Sequence, residues 1–398
     1  MKERVLVISE VVLAALVFVF NLFQLSGAIS FCFAAGFLVL IWYLAFSGVI
    51  RNVNRLLFYL LLAAIVSVLV NGLANPVVTF SFDYFKKLIF FCTSVIFFEI
   101  ASRIRLTTSA AKVIKWIILS MVIILLIDYY LLQNRTMYGF YLTLGFTNPN
   151  FTSMWLMHLC LFMVYYFSFS SRIICKLGYA VAFLLTVNII FPTLNRSTLV
   201  VLVLFFILVV IGVFNRKKTF PGIVLFIIVL VPFIFFLLYQ SFLSNKALVE
   251  LFNFAVSESQ GKNLDTRLII WNYATQLLNN MGWLFGDYAS LHTSNTTGML
   301  QMHNSHLDIL VSYGIVTFAL FIAFQYVLLR RINDHDLDWP RYIAFCGFIS
   351  VILLGMFEAG IYAGCTGLNF LSGLFLILAN TGAPLTMSRL NRSEFGRL

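Results

Sequence analysis

Apolar residues along this chain fall in long blocks separated by short polar stretches. A run of roughly 20 apolar residues is long enough to cross the hydrocarbon core of a bilayer, and the chain is built largely of such runs. They predict about 12 spans, at roughly 5–25, 29–47, 56–71, 88–101, 113–132, 151–169, 177–192, 197–214, 220–240, 304–329, 341–357 and 362–380. At this length only a helix satisfies its own backbone hydrogen bonds in lipid. The first run, Val5 to Leu25, resembles a signal peptide in position. It lacks an A-x-A-like cleavage site and carries on into a second span, so it reads as a helix. The expected fold class is all-α: a polytopic integral membrane protein, with residues 1–398 forming a single transmembrane domain.

Composition agrees. Of 398 residues, 62% are hydrophobic and only 10% charged, against about 25% charged in a soluble globular domain. The net charge of +11 raises the question of nucleic acid, but the basic residues form no single patch. They sit in short clusters between apolar runs. Distributed over alternate loops, 19 of the 26 Lys and Arg fall on one side and 7 on the other. By the positive-inside rule the first side is cytoplasmic and both termini lie inside. The six cysteines form no CxxC pair and mostly lie within apolar runs, where they read as small core residues.

Cytoplasmic connections are short and basic. Three outer connections are longer: Gly72–Lys87, Gln133–Asn150, and the large extracytoplasmic loop at 242–303. Long ordered loops are usually functional. This one has helical spacing of its own, at Leu248, Leu251, Phe252 and Val256, and again at Leu268, Trp271, Thr275 and Leu278. The seven basic residues kept outside against the orientation rule are Lys86, Lys87, Arg135, Arg196, Lys246, Lys262 and Arg267.

Four outer motifs are candidates for chemistry. In Gly145-Phe146-Thr147-Asn148-Pro149-Asn150, the proline favours an extended or turn residue before it and Asn150 suits a helix cap. The motif is a plain loop-to-helix turn, or Asn148 and Asn150 line a sugar site. In Pro192-Thr193-Leu194-Asn195-Arg196-Ser197, the connection is too tight to take Arg196 far from the membrane surface. That arginine either snorkels to headgroups or makes a bidentate contact with a diphosphate. Asp265-Thr266-Arg267 precedes Trp271 by one helical turn, which puts guanidinium and indole on one face. An arginine beside an indole suits phosphate and sugar, and also suits an interfacial belt. Met302-His303-Asn304-Ser305-His306-Leu307-Asp308 enters the tenth span. His303 and His306 suit a metal by spacing, but no nearby cysteine or carboxylate completes a recognisable ligand set. A general base is the better functional reading, with His306 as a helix-capping residue the structural alternative. Glu10, Glu99, Asp128 and Glu358 lie within or at the ends of spans, where carboxylates are costly and often functional. No Walker, GxSxG, HExxH or dinucleotide motif is present.

The order of these motifs resembles the O-antigen ligase and polymerase superfamily, in particular the Wzy-type polymerases of capsule and O-antigen repeat units. The resemblance runs from Gly145 to Phe324: an outer Asn-Pro-Asn turn, an Asn-Arg-Ser turn, a large late loop with Arg267 and Trp271, then His303-Asn304 and Tyr313-Gly314. It implies a bacterial plasma-membrane glycosyltransferase that uses no metal or cofactor. The substrates it implies are oligosaccharides on undecaprenyl diphosphate. Arg196 and Arg267 would hold the diphosphate and His303 would be the catalytic base. Asn148, Asn150, Asn195, Trp271, Asn304, His306 and Arg135 would complete the substrate site. Membrane lipid, a chain-length regulator and a flippase are the partners it implies, with no nucleic acid. A ligase of the same superfamily is one rival. A lipid-linked oligosaccharide flippase is another, against which stand the large outer loop and the clustering of polar motifs on one side.

Overall fold

The computed structural model describes residues 55–74, 82–103, 108–133, 137–138, 141–142, 149–193, 195–214, 273–274, 276–278, 282–287, 304–333, 337–358 and 366–381, with single residues at 106, 135, 144, 241, 245 and 247. The expected spans at 5–25, 29–47 and 220–240 lie outside them. The other nine each coincide with a helix: α1 (Arg55–Ala74), α2 (Phe82–Ala101), α3 (Thr108–Leu126), α4 (Pro149–Phe169), α5 (Ile173–Ile190), α6 (Arg196–Phe214), α7 (Ser305–Asn333), α8 (Trp339–Phe357) and α9 (Thr366–Thr381). Seven candidate membrane-crossing helices, long and apolar enough, occur among the described residues. The protein is thus an all-α polytopic membrane protein. Among the described residues the strands amount to two short pieces, Met137–Tyr138 paired antiparallel with Tyr141–Leu142.

The helices sort by what their apolar surface faces. α4 and α8 are sheathed by neighbours, with long runs of buried residues on every side. α1, α3, α5 and α6 carry rows of exposed leucine, isoleucine, valine and phenylalanine. In water such rows would be a liability; against lipid tails they are the expected surface. Because lipid is as apolar as leucine, association in the bundle rests on close packing and internal polar contacts. Gly373 lets the Phe97 ring approach to where a Cβ would lie 2.1 Å from it, and Gly212 does the same for Tyr342. The Tyr342 hydroxyl then donates to the Leu208 carbonyl at 2.8 Å. Deep in the bundle, His158 meets the Ser372 hydroxyl at 3.0 Å, and Asn369 donates to Ser94 at 2.8 Å.

One end of the bundle is basic. There Glu99, buried at the end of α2, accepts from Arg103 at 2.8 Å and from Arg331 at 3.3 Å, while Arg341 donates to the Ala379 carbonyl. The charge rule expects this end to face the cytoplasm. The opposite end is formed by the starts of α4 and α6 and the end of α8.

Two expected boundaries change. The fourth span begins at Phe82 rather than 88, so Lys86 and Lys87 stand in its first turns and not in a loop. Hydropathy stops the helix at the lysine pair, but Lys87 is neutralised by a partner on another helix. The tenth span is not one continuous helix. At Gly314 the backbone adopts φ 78°, ψ 176°, which breaks α7 in two. In a straight helix His306 and Gln325 would lie about 28 Å apart along the axis; their side chains instead meet at 3.4 Å. The first half, Ser305–Tyr313, therefore folds back on the second.

This break is filled by a piece of the large loop. The helical turn Trp283–Phe285 and the glycine after it press into the bend. A Cβ on Gly314 would lie 2.1 Å from the Leu284 carbonyl oxygen, and one on Gly286 (φ 79°) would lie 2.5 Å from that of Ser312. Lipid cannot satisfy backbone groups released by a break, and protein does so here. Ser67 donates to the Tyr313 carbonyl at 2.7 Å. Asn71 donates to the Phe285 carbonyl at 2.9 Å, and the Asp287 N–H to the Val311 carbonyl at 2.7 Å.

Gly314→Ala should therefore destabilise the detergent-solubilised protein by about 1–3 kcal/mol, since it combines a left-handed backbone with a clash. Gly178→Ala, whose Cβ meets open space, should stay within about 1 kcal/mol of wild type in the same thermal melts. Topology has its own test. Cys175 is exposed near the basic stretch after α4. In a variant retaining only that cysteine, an impermeant thiol reagent should label inside-out vesicles and spare right-side-out ones.

Candidate active site at the rim of the bundle

At the end opposite the basic residues, three turns far apart in sequence meet one carboxylate. Glu358 follows the last residue of α8 and is 2% exposed. Its Oε2 accepts from the Asn150 amide at 3.1 Å. Its Oε1 accepts from the Asn195 amide and from the Ser197 hydroxyl, both at 3.2 Å. Its backbone carbonyl accepts from the Ser305 hydroxyl at 2.8 Å. The Asn-Pro-Asn turn, the Asn-Arg-Ser turn and the start of α7 are thus tied to a single residue. Burying a carboxylate is costly unless it is well hydrogen-bonded; the three side-chain donors described here are neutral.

Local chemistry explains the geometry of each turn. Asn195 precedes α6 and accepts the Thr198 N–H at 3.3 Å, capping the helix, while its amide nitrogen serves Glu358. Arg196 is then the first residue of α6, and its side chain is exposed between two that are turned inward. Thr198 donates to Ser153 at 3.0 Å, which joins α6 to α4 just below. Asn304 caps α7, with Oδ1 accepting the N–H groups of His306 and Leu307 at 3.0 and 2.9 Å. His306 itself is buried against Gln325 and the Phe321 ring. The residue that caps α7 is therefore Asn304, and His306 points into the fold-back.

Of the sequence-predicted site residues, the structure brings Asn150, Asn195 and Arg196 to one cluster, with Asn304 and His306 at the adjoining start of α7. Arg135 stands apart, over the Tyr129 ring at 4.9 Å, where α3 ends in a π-helical turn (Ile127–Leu131). Next to it Asn188 donates to the Tyr130 hydroxyl at 2.8 Å. Asn148, Arg267, Trp271 and His303 lie outside the described residues.

Two features of the site carry no motif in the sequence. Sequence shows Glu358 only as a carboxylate at the end of a span, because the donors to that carboxylate lie more than 150 residues away. Lys87, at the edge of an expected loop, donates to Asp308 at 2.7 Å and to Ser312 at 2.9 Å, with about a sixth of each ion-pair side chain exposed. This pair braces the first half of α7 against α2, directly behind the turn that carries Asn304.

Fold and site together define a multi-pass membrane protein whose polar chemistry gathers at one rim of a helical bundle. Residues 181–322 match the family model described as O-antigen ligase. The matched segment contains Arg196, Arg267 and His303; Asn150 and Glu358 fall on either side of it. No curated protein and no solved structure matches the chain.

Breaking the Lys87–Asp308 pair leaves one partly buried charge alone. Lys87→Met should cost about 1–3 kcal/mol once screening at the exposed edge is counted. The double variant with Asp308→Leu should recover part of that loss, as read from thermal melts of the purified protein.

Proposed function

We propose that the protein is a repeat-unit polymerase, joining undecaprenyl-diphosphate-linked oligosaccharides on the outer face of a bacterial plasma membrane for capsule or O-antigen synthesis. The observation that carries this reading is the convergence of the Asn-Pro-Asn turn, the Asn-Arg-Ser turn and the start of α7 on Glu358 at one rim. It brings Arg196 and the chain just after His303 into one neighbourhood, within a bundle whose opposite end is basic. A transport path would instead place its polar groups along the midplane.

The chemistry asks little of the protein. A glycosyl diphosphate is already an activated donor. An acceptor hydroxyl on the incoming repeat unit attacks the anomeric carbon of the growing chain, the bond to the diphosphate breaks, and the lipid diphosphate leaves with the electron pair. His303 takes the hydroxyl proton. Arg196 and Arg267 offset the charge that develops on the leaving group. Positioning two lipid-anchored substrates at one rim supplies the remaining advantage. Because the matched family is described as O-antigen ligase, transfer of a finished chain to a different acceptor is the second reading.

A polymer ladder assay separates the readings. Wild type should convert lipid-linked repeat units into a ladder, and His303→Ala and Arg267→Ala at matched expression should abolish long polymer while single units accumulate on the outer face. A single transferred product without a ladder supports a ligase. Units trapped on the inner face point to a flippase.

A further inference from the structure

We infer that Glu358 is a positioning residue that aims the Arg196 guanidinium at the diphosphate of a lipid-linked substrate. The inference rests on the reading of Arg196 as a diphosphate ligand and adds the residue that holds it. Asn195 and Ser197 flank Arg196, and both donate to the same oxygen, Oε1, at 3.2 Å. Successive side chains at a helix start fan out by about 100°, so fixing the two neighbours inward fixes the arginine outward. The structure shows this arrangement: Asn195 is buried, Ser197 half-buried and Arg196 exposed. Both ends of the Asn195 amide are committed, one to Glu358 and the other to the Thr198 N–H, so the turn has little freedom to rotate.

Direction matters to this side chain. A guanidinium binds a diphosphate through a planar fork of parallel N–H groups, and a misaimed fork loses the second bond. The clamp also needs a carboxylate rather than any polar group. Glu358 accepts on both oxygens at once, from Asn195 and Ser197 on one and from Asn150 on the other. A glutamine keeps the shape but has a single acceptor oxygen, and its NH2 group would face an asparagine NH2. Glu358→Gln thus loosens the clamp without opening a cavity. Glu358 lies just past the end of α8, beyond the matched family segment, and reaches Arg196 only through the fold.

The test is equilibrium binding of a labelled polyprenyl diphosphate, with no sugar attached, to the full chain in lipid nanodiscs. Wild type, Glu358→Gln, Arg196→Ala and the double variant are compared. Each single variant should weaken binding about tenfold, the scale of one charge-assisted contact. The double variant should bind no more weakly than Arg196→Ala alone, because the glutamate acts through the arginine. Glu358→Gln binding like wild type, a further tenfold loss in the double variant, or wild type failing to bind the lipid would each overturn the inference. If Glu358→Gln melts early, Ser197→Ala removes one bond to the same oxygen and carries the same comparison. Polymer is not read in this assay, so Arg196-dependent binding in a protein that makes no polymer would sink the polymerase reading alone.

Discussion

The rim of this bundle depends on a carboxylate buried at the end of a membrane helix. A charged group in that position would be expelled or neutralised if it lacked partners. Glu358 is held in place by donors from the starts of α4 and α6, and its carbonyl receives Ser305 from the start of α7. Those partners in turn have their own obligations: Asn195 caps α6 and Thr198 ties α6 to α4. Removing the carboxylate would release the Asn150 and Asn195 amides and the Ser197 hydroxyl together, at positions that are buried or half-buried. The cost of the buried charge and the order of the three turns are two views of the same interaction.

The second constraint is backbone. α7 enters the bundle as a half-helix, turns back at Gly314 and only then runs its full length. A broken helix is tolerated at membrane depth where protein satisfies the freed groups, and here the loop segment around Gly286 is built into the bend. The consequence for the site is mechanical. The half-helix that begins with Asn304 and Ser305 is fixed at three points: the Glu358 carbonyl, the Lys87–Asp308 pair and the Ser67 contact at Tyr313.

How much of this was readable in advance differs by level. The helices were legible because lipid demands unbroken apolar length, and nine of the expected spans coincide with helices. The outer turns were legible as punctuation: Asn148-Pro149-Asn150, Asn195-Arg196-Ser197 and His303-Asn304 each break an apolar pattern. Hydropathy says nothing of backbone direction, so the reversal at Gly314 was invisible, although Tyr313-Gly314 stood out as a motif. It also ended a helix at Lys87, because the compensating Asp308 lies on another helix. Glu358 was visible as an unusual residue, but its meaning depends on contacts that span 53 to 208 positions. Asn304 and His306 show the same limit in miniature: either could cap α7, and only the fold assigns the cap to the asparagine.

The proposed site puts the lipid-linked sugar at one rim of the bundle. The most direct measurement is photocrosslinking with a polyprenyl-diphosphate sugar that carries a diazirine on its first residue, followed by mapping of the captured peptides. A rim site gives adducts at the starts of α4 and α6 and at the turn before α7. Adducts concentrated at mid-depth, around His158 and Ser372, would contradict it and indicate a path through the bundle.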